Sequence, residues 1–246
     1  MKDNFSRQAD VYAKYRPTYP QELYDFILSK VKSRNAAWDC ATGNGQTAKE
    51  LAKYFRKVFA TDISQKQIDN ALPAENIFYS AQTAEHTNFE DNIFDLVTVS
   101  QALHWFDVNK FYAEVKRVAK PGAWIAVWMY SLATISPEID ELINVKHYKK
   151  TLGNFWDYER KYVDDNYTTL PFPFLEIQCP VFKMKFEWTL DELVGYLNTW
   201  SALQKFITQN HFNPINELKE QIKPFWYPEK MKIVFPVYLR MGQIKK

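Results

Sequence analysis

Apolar residues along this chain fall into two alternating rhythms. Leu23, Phe26, Ile27 and Val31 recur at helical spacing behind Pro20, which predicts a helix over residues 20–32. A short apolar run at 36–41 predicts a buried strand, and residues 47–54 a helix entered from a loop containing Gly43 and Gly45. The alternation continues with a strand at 58–61, a helix to residue 71 opened by a capping box of Ser64 with Gln67, and a strand at 77–80. Residues 94–100 (FDLVTVS) are rich in β-branched side chains and predict a central strand. Asp107 then caps a helix bearing Phe111, Val115 and Val118, which Pro121 and Gly122 are expected to end before a fifth strand at 124–130. Strand and helix in alternation imply right-handed crossovers and a parallel sheet.

The rhythm is lost after Tyr130. Residues 131–180 are aromatic, dotted with proline and without a strong period, so an irregular insertion is expected. Order returns where Phe182, Met184, Phe186 and Trp188 alternate with Lys183, Lys185 and Glu187, the pattern of a half-buried strand. Thr189 and Glu192 form a capping box for a helix bearing Leu190, Leu193, Val194 and Leu197. A last strand at 232–240 contains Pro236, which suits an edge or a bulge. The expected division is a core over 1–130, a cap insertion over 131–180 and a closing segment over 181–246.

Composition narrows the classes. With 246 residues, 46% of them apolar and 17% aromatic, the chain can bury a substantial core, and disorder is excluded as a description. Lys and Arg number 31 against 29 Asp and Glu, and no basic arm stands out, so nucleic acid is not an expected partner. Cys40 and Cys179 make neither a disulfide framework nor a thiolate metal site; no metal is expected, and a reducing compartment is. The polar start MKDNFSRQ lacks a signal core, and no run of about 18 apolar residues could span a bilayer, so a cytoplasmic protein without membrane contact is expected.

The chemistry gathers at WDCATGNGQTA, residues 38–48. Gly43 and Gly45 follow the first strand at the carboxyl edge of the sheet, where open α/β folds bind ligands. Their bare backbone allows close approach, and the helix that follows offers free amides to an anion. Gly43, Gly45 and Ala48, with Asp62 at the spacing of a ribose-binding acid, satisfy a loose dinucleotide fingerprint. Asp39 argues otherwise: a carboxylate four residues before Gly43 would repel a pyrophosphate and favour a ligand with an ammonium group. A ligand offering ammonium, carboxylate and ribose together is S-adenosylmethionine.

The chain resembles the class I S-adenosylmethionine-dependent methyltransferases from about residue 4 to 130, through DCATGNGQ, ATDIS, TAEHTNFEDNIFDLVTVSQALHWF and VAKPGAWIAVW. Within them it looks most like the small-molecule group that includes trans-aconitate methyltransferases, through FSRQADVYAKYRPTYP, HWF and TLDELVGYLNTWSA. The resemblance implies a Rossmann-like three-layer α/β/α sandwich, with a mostly parallel seven-stranded sheet, a late antiparallel strand and a cap insertion. It implies S-adenosyl-L-methionine as cofactor and S-adenosyl-L-homocysteine as product. Asp39 would meet the methionine ammonium, Gly43 and Gly45 would pass under methionine and ribose, and Asp62, with Ile63 beside it, would accept both ribose hydroxyls. Thr83, Ala84 and Glu85 would flank adenine, and Ser100 and Gln101 would stand beside the sulfonium. Ala41 replaces the first glycine of the family's loop, and Thr83 stands where many relatives carry an acid.

Phe5, Arg7, Tyr12, Tyr15, Arg16 and Tyr19 precede the core and can form a lid. Arg16 could grip the methionine carboxylate or an acidic acceptor, with Tyr12 facing the sulfonium and Tyr15 the acceptor. Trp105 and Trp200 are further acceptor contacts, and His104 is the candidate general base, needed only where the acceptor must lose a proton. Tyr148, Phe155, Trp156, Tyr158 and Tyr162 can line the acceptor pocket or form an aromatic minicore. The expected activity is methyl transfer to a small molecule, a carboxylate oxygen leading, by a monomer or homodimer. A nicotinamide-dependent oxidoreductase and a non-catalytic cofactor-binding protein are the alternatives.

Overall fold

A computed structural model describes residues 17–246. The buried apolar runs form five parallel strands, β1 (Ala36–Cys40), β2 (Lys57–Asp62), β3 (Ile77–Ala81), β4 (Phe94–Ser100) and β5 (Ala119–Tyr130), in the order β3-β2-β1-β4-β5. β4 is central, as its β-branched run predicts, and every residue of it but Ser100 is buried.

Three strands close the sheet beyond β5: β6 (Leu175–Ile177), β7 (Phe182–Trp188) and β8 (Met231–Gln243). β8 runs antiparallel to β5 on one side and to β6 and β7 on the other. The sequence predicts seven strands, and β6 lies inside the stretch expected to be irregular. It shares one sheet position with β7: Ile177 faces Met241 and Phe182 faces Val237, five residues opposite four. One extra residue beside Pro180, which cannot donate to a ladder, breaks that edge in two. Pro236 lies within β8 where pairing with β5 stops at Tyr130. Its carbonyl accepts from Ser131 N (3.1 Å), and its missing N–H falls on the same side, where the partner strand has ended.

Side-chain alternation builds two cores, one on each sheet face. Ala37, Leu96, Ala126 and Trp128 face the helix Gln21–Lys30 through Leu23 and Ile27. Trp38, Val97, Ile125 and Val127 face the helix Val108–Val118 through Phe111 and Val115. That helix ends at Val118, earlier than the expected stop at Pro121 and Gly122, because β5 already begins at Ala119 and runs through both residues with a register shift opposite Phe94–Leu96. The Thr189–Glu192 capping box is complete in both directions; at Ser64 only the bond from Gln67 N to the side chain is present (3.4 Å).

Residues 131–180 are more regular than the sequence suggests. A turn of helix, Pro137–Asp140, leads into a π-helix, Glu141–Thr151. Leu142 and Ile143 are buried, and so are His147 and Tyr148 five residues on. Bonds from residue i to i+5 set that repeat, so a search at the α-helical period finds nothing. A short helix, Arg160–Asp164, follows, and after β7 come the helices Leu190–Leu197, Ser201–Asn210 and Ile215–Ile222, the last of which had no counterpart in the sequence expectations. No helix among the described residues is long and apolar enough to cross a membrane.

Candidate active site

A cleft opens at the carboxyl ends of β1, β2 and β4, with about 1460 Å³ of space counted out to its open mouth. Its floor is the loop after β1. Ala41 (φ 54), Gly43 (φ 57) and Gly45 (φ 83) all take left-handed backbone, which costs a non-glycine residue about 1–2 kcal/mol, so Ala41 is a strained stand-in for glycine. The two glycines serve different ends. A Cβ on Gly43 would meet nothing within 4 Å and would project into the cleft, whereas one on Gly45 would lie 2.2 Å from the Tyr79 hydroxyl. That hydroxyl donates to Leu72 O (2.7 Å) and cannot easily move. Gly45, expected to pass under the ligand, instead sits outside the cleft lining and caps the helix Gln46–Leu51 against β3.

The two acids also separate. Asp62, at the end of β2, lines the cleft; its Oδ2 accepts from Gly43 N and its Oδ1 from Ser64 N, both at 2.9 Å. Asp39 does not reach the cleft. It is fully buried under the loop and accepts from Thr42 Oγ1 (2.5 Å) and Thr98 Oγ1 (2.8 Å). Burial raises its pKa to about 6, against the lowering effect of its hydrogen bonds. Thr42, between Asp39 and the cleft, has its hydroxyl proton committed downward, so its oxygen lone pairs face the ligand space.

Ser100, Gln101, Ala102, His104 and Trp105 form the wall beyond β4, and Ile63 lines the cleft next to Asp62. Gln101 (φ 56) turns the chain sharply. Its side chain extends the ladder to β5, Oε1 accepting from Tyr130 N at 2.7 Å, and so fixes the strand ends that shape the wall. His104 is buried with Nδ1 2.7 Å from the Tyr167 hydroxyl, leaving Nε2 as the atom available to a ligand. Tyr167 adopts a left-handed backbone (φ 61), and Arg240 on β8 donates to its carbonyl at 2.8 Å.

The insertion and the helices Leu190–Leu197 and Ser201–Asn210 supply the roof: Trp156, Asp157, Arg160, Tyr196, Trp200 and Ser201. Of the five aromatic candidates in the insertion, Trp156 lines the cleft. Tyr148 packs behind it (ring centroids 4.7 Å apart), Phe155 packs on Phe206 at 5.1 Å, and Tyr158 is exposed. Thr83, Ala84 and Glu85 stand outside the cleft lining although they adjoin it: Gln82 N donates to Asp62 O (2.9 Å). Thr83 donates to His86 O (3.1 Å), Ala84 is buried, and Glu85 accepts from Asp107 N (3.1 Å) at the start of the helix Val108–Val118. Phe5, Arg7, Tyr12, Tyr15 and Arg16 lie outside the described residues. Tyr19, expected in the lid, lines the cleft, and Thr42, Tyr130 and Arg160 line it without having been singled out for it. Thr42 carried a usable signal, lying between Asp39 and Gly43; the others depend on tertiary contacts.

Burial lowers the pKa of His104 to about 3, aided by the nearby Arg160 charge, and that of His147 to about 4. Both values lie below the unfolded one of about 6.5, so the unfolded chain takes up these two protons first as pH falls. Asp39 works the other way, the folded chain gaining its proton as pH falls through about 6. The unfolded state then holds about one proton more near pH 5. Unfolding free energy should therefore fall by about 1.4 kcal/mol per pH unit there. Urea unfolding at pH 5.5 and 4.5 checks the sign; a flat profile would contradict the buried neutral histidines.

Known proteins resemble this chain in sequence and in fold. A family described as "Methyltransferase domain" matches residues 38–127, which hold the glycine loop, Asp62 and the wall after β4. A Dictyostelium discoideum protein named as a methyltransferase is 33% identical over 249 residues, covering 98% of this chain and 95% of its own length. A Saccharomyces cerevisiae protein named as an S-adenosylmethionine-dependent methyltransferase is 24% identical over 257 residues, covering 85% of this chain and 86% of its own. A solved structure described as a type II methyltransferase from Anaeromyxobacter dehalogenans matches with a TM-score of 0.87 at 35% identity, over 94% of this chain and 99% of that one.

Proposed function

Because the chain belongs to the S-adenosylmethionine-dependent methyltransferases, we propose that its acceptor is a small molecule and that the accepting atom is a carboxylate oxygen. The residues present fit the cofactor: Gly43 leaves open the space its Cβ would fill, and Asp62, an acceptor-only carboxylate anchored by the amides of Gly43 and Ser64, lines the cleft. Asp62 holds the two ribose hydroxyls, with Ile63 beside it. Thr42, oriented by Asp39, accepts from the methionine ammonium, so Asp39 acts through a hydroxyl. Ala41 and Gly45 give the loop its shape, Thr83, Ala84 and Glu85 border the adenine, and Ser100 and Gln101 flank the sulfonium. Trp105 and Trp200 enclose the acceptor under the cap of residues 131–180, and Tyr12, Tyr15 and Arg16 would close over it.

The cofactor supplies a methyl group on a sulfonium, which passes to the acceptor lone pair while the electrons of the broken carbon–sulfur bond stay on sulfur. The observation that carries the carboxylate reading is the burial of His104, held at Nδ1 by the Tyr167 hydroxyl and out of water. With a pKa of about 3 it is neutral at physiological pH and a poor proton acceptor, so it serves as a hydrogen-bonding group that orients the acceptor. A carboxylate is ionised already and has no proton to give up. The rest of the catalysis is alignment in a water-poor cleft.

S-adenosylhomocysteine should raise the melting temperature and NADH should not, a ligand at a hundred times its Kd adding about 2.7 kcal/mol. A screen of small organic acids should then yield a base-labile methyl ester. A base-stable methylamine or ether as the product would overturn the carboxylate assignment.

A further inference from the structure

We propose that Arg160 recognises an anionic group on the methyl acceptor, a carboxylate or a phosphate, an assignment that rests on the methyl-transfer reading above. Arg160 opens the helix Arg160–Asp164 in the roof and lines the cleft beside Trp156 and Trp200. Its guanidinium lies 4.9 Å from the Trp156 ring centroid and 5.3 Å from that of Tyr148. Nε donates to the Tyr148 hydroxyl (2.8 Å) and stands 3.5 Å from Asp164 Oδ1, while Tyr148 itself donates to Asp164 (2.6 Å). Trp156 is held in turn, its indole N–H donating to Tyr148 O at 3.2 Å.

Both polar contacts of the Arg160 side chain use Nε. The two terminal amino groups have no partner among the described residues, although the side chain is only 23% exposed. A guanidinium fixed on one edge and stacked on one face presents a ready fork of donors on its free side, the geometry that matches two oxygens of a carboxylate or phosphate.

Local charge favours the same ligand. Arg160 is the one cationic side chain among the described residues that line the cleft. Asp164 meets it at Nε, while the roof acid that lines the cleft, Asp157, is ion-paired with Lys205 at 2.6 Å, and Asp62 serves the cofactor end. His104 stays neutral in the field of Arg160. The acceptor end therefore holds an oriented positive charge that the described residues meet only at its Nε edge, and a bound anion completes it. The aromatic wall around the fork, Trp156, Tyr196 and Trp200, keeps the pair from being screened by bulk water.

The test uses the full chain saturated with S-adenosylhomocysteine. Melting temperature is followed against succinate, benzoate and inorganic phosphate, with succinamide and benzamide as uncharged controls at matched ionic strength. At least one anion should stabilise the wild type while the amides do not, and the more potent anion tells carboxylate from phosphate. Arg160→Gln should abolish that response yet change S-adenosylhomocysteine affinity by less than about twofold. Arg160→Lys, which keeps the charge and loses the fork, should respond about tenfold more weakly; if the Gln variant does not fold, an undiminished response in the Lys variant overturns the proposal. It is also overturned if no anion stabilises the loaded protein, if the amides match the acids, or if Arg160→Gln weakens the cofactor product tenfold, which would place the fork on the cofactor's own carboxylate. Failure of S-adenosylhomocysteine itself to stabilise the wild type would instead remove the methyl-transfer reading.

Discussion

Asp62→Ala should weaken S-adenosylhomocysteine binding by about 3 kcal/mol, roughly a hundredfold, from two lost bonds to a charged acceptor at about 1.5 kcal/mol each. Asp62 is expected to matter twice. It offers the lone pairs for the ribose, and it holds the glycine loop in place through Gly43 N. Asp62→Asn keeps the size but puts a donor where one of the two amide hydrogens now points, so it should lose nearly as much. Calorimetry with both variants checks this, alongside melting curves to separate loop disorder from lost contact. Affinity within threefold of wild type in the Ala variant would remove the ribose role.

Gly43→Ala and Gly45→Ala should fail in opposite ways although they are two residues apart. At Gly43 a methyl meets open space, so the fold bears only the left-handed backbone cost of about 1–2 kcal/mol, while the methyl enters the cleft and binding should fall more than tenfold. At Gly45 the same backbone cost is joined by a Cβ 2.2 Å from the tethered Tyr79 hydroxyl. With overpacking at about 1–3 kcal/mol, the protein should lose about 2–5 kcal/mol of stability. Tyr79→Phe in the Gly45→Ala background should restore part of it by removing the clashing oxygen. Urea unfolding and calorimetry on the two single variants decide the matter; a Gly45→Ala protein as stable as wild type, or a Gly43→Ala protein that binds normally, would contradict the division of roles.

That division was not legible in the sequence, and the reason is distance along the chain. The loop, the strand before it and the helix after it obey short-range rules, so GNG, its place at the edge of the sheet and the acid of ATDIS could all be found from local pattern. What Gly45 touches is Tyr79 on β3, and no local pattern connects the two. Asp39 is similar. Its spacing to Gly43 identified the motif, but whether its carboxylate faces ligand or threonine depends on Thr98, contributed by β4. The roof was expected over 131–180, but its detail was not legible: burial in the π-helix repeats every five residues, and Arg160 acquires its chemistry from Tyr148 and Trp156, which only the folded insertion sets against it.

The place of β8 in the sheet bears on how the protein reaches this state. β5 waits for a neighbour about 110 residues further along the chain, and the segment 175–188 can only dock on that same late strand. Contacts of such long sequence separation slow folding, because loop closure precedes the gain from pairing. Until residues 231–243 insert, β5 carries a bare, strongly apolar edge of the kind that recruits strands from other molecules. Refolding yield should accordingly drop as protein concentration rises, and a chaperone that shields unpaired strands during synthesis should have its greatest effect in the interval before β8 leaves the ribosome.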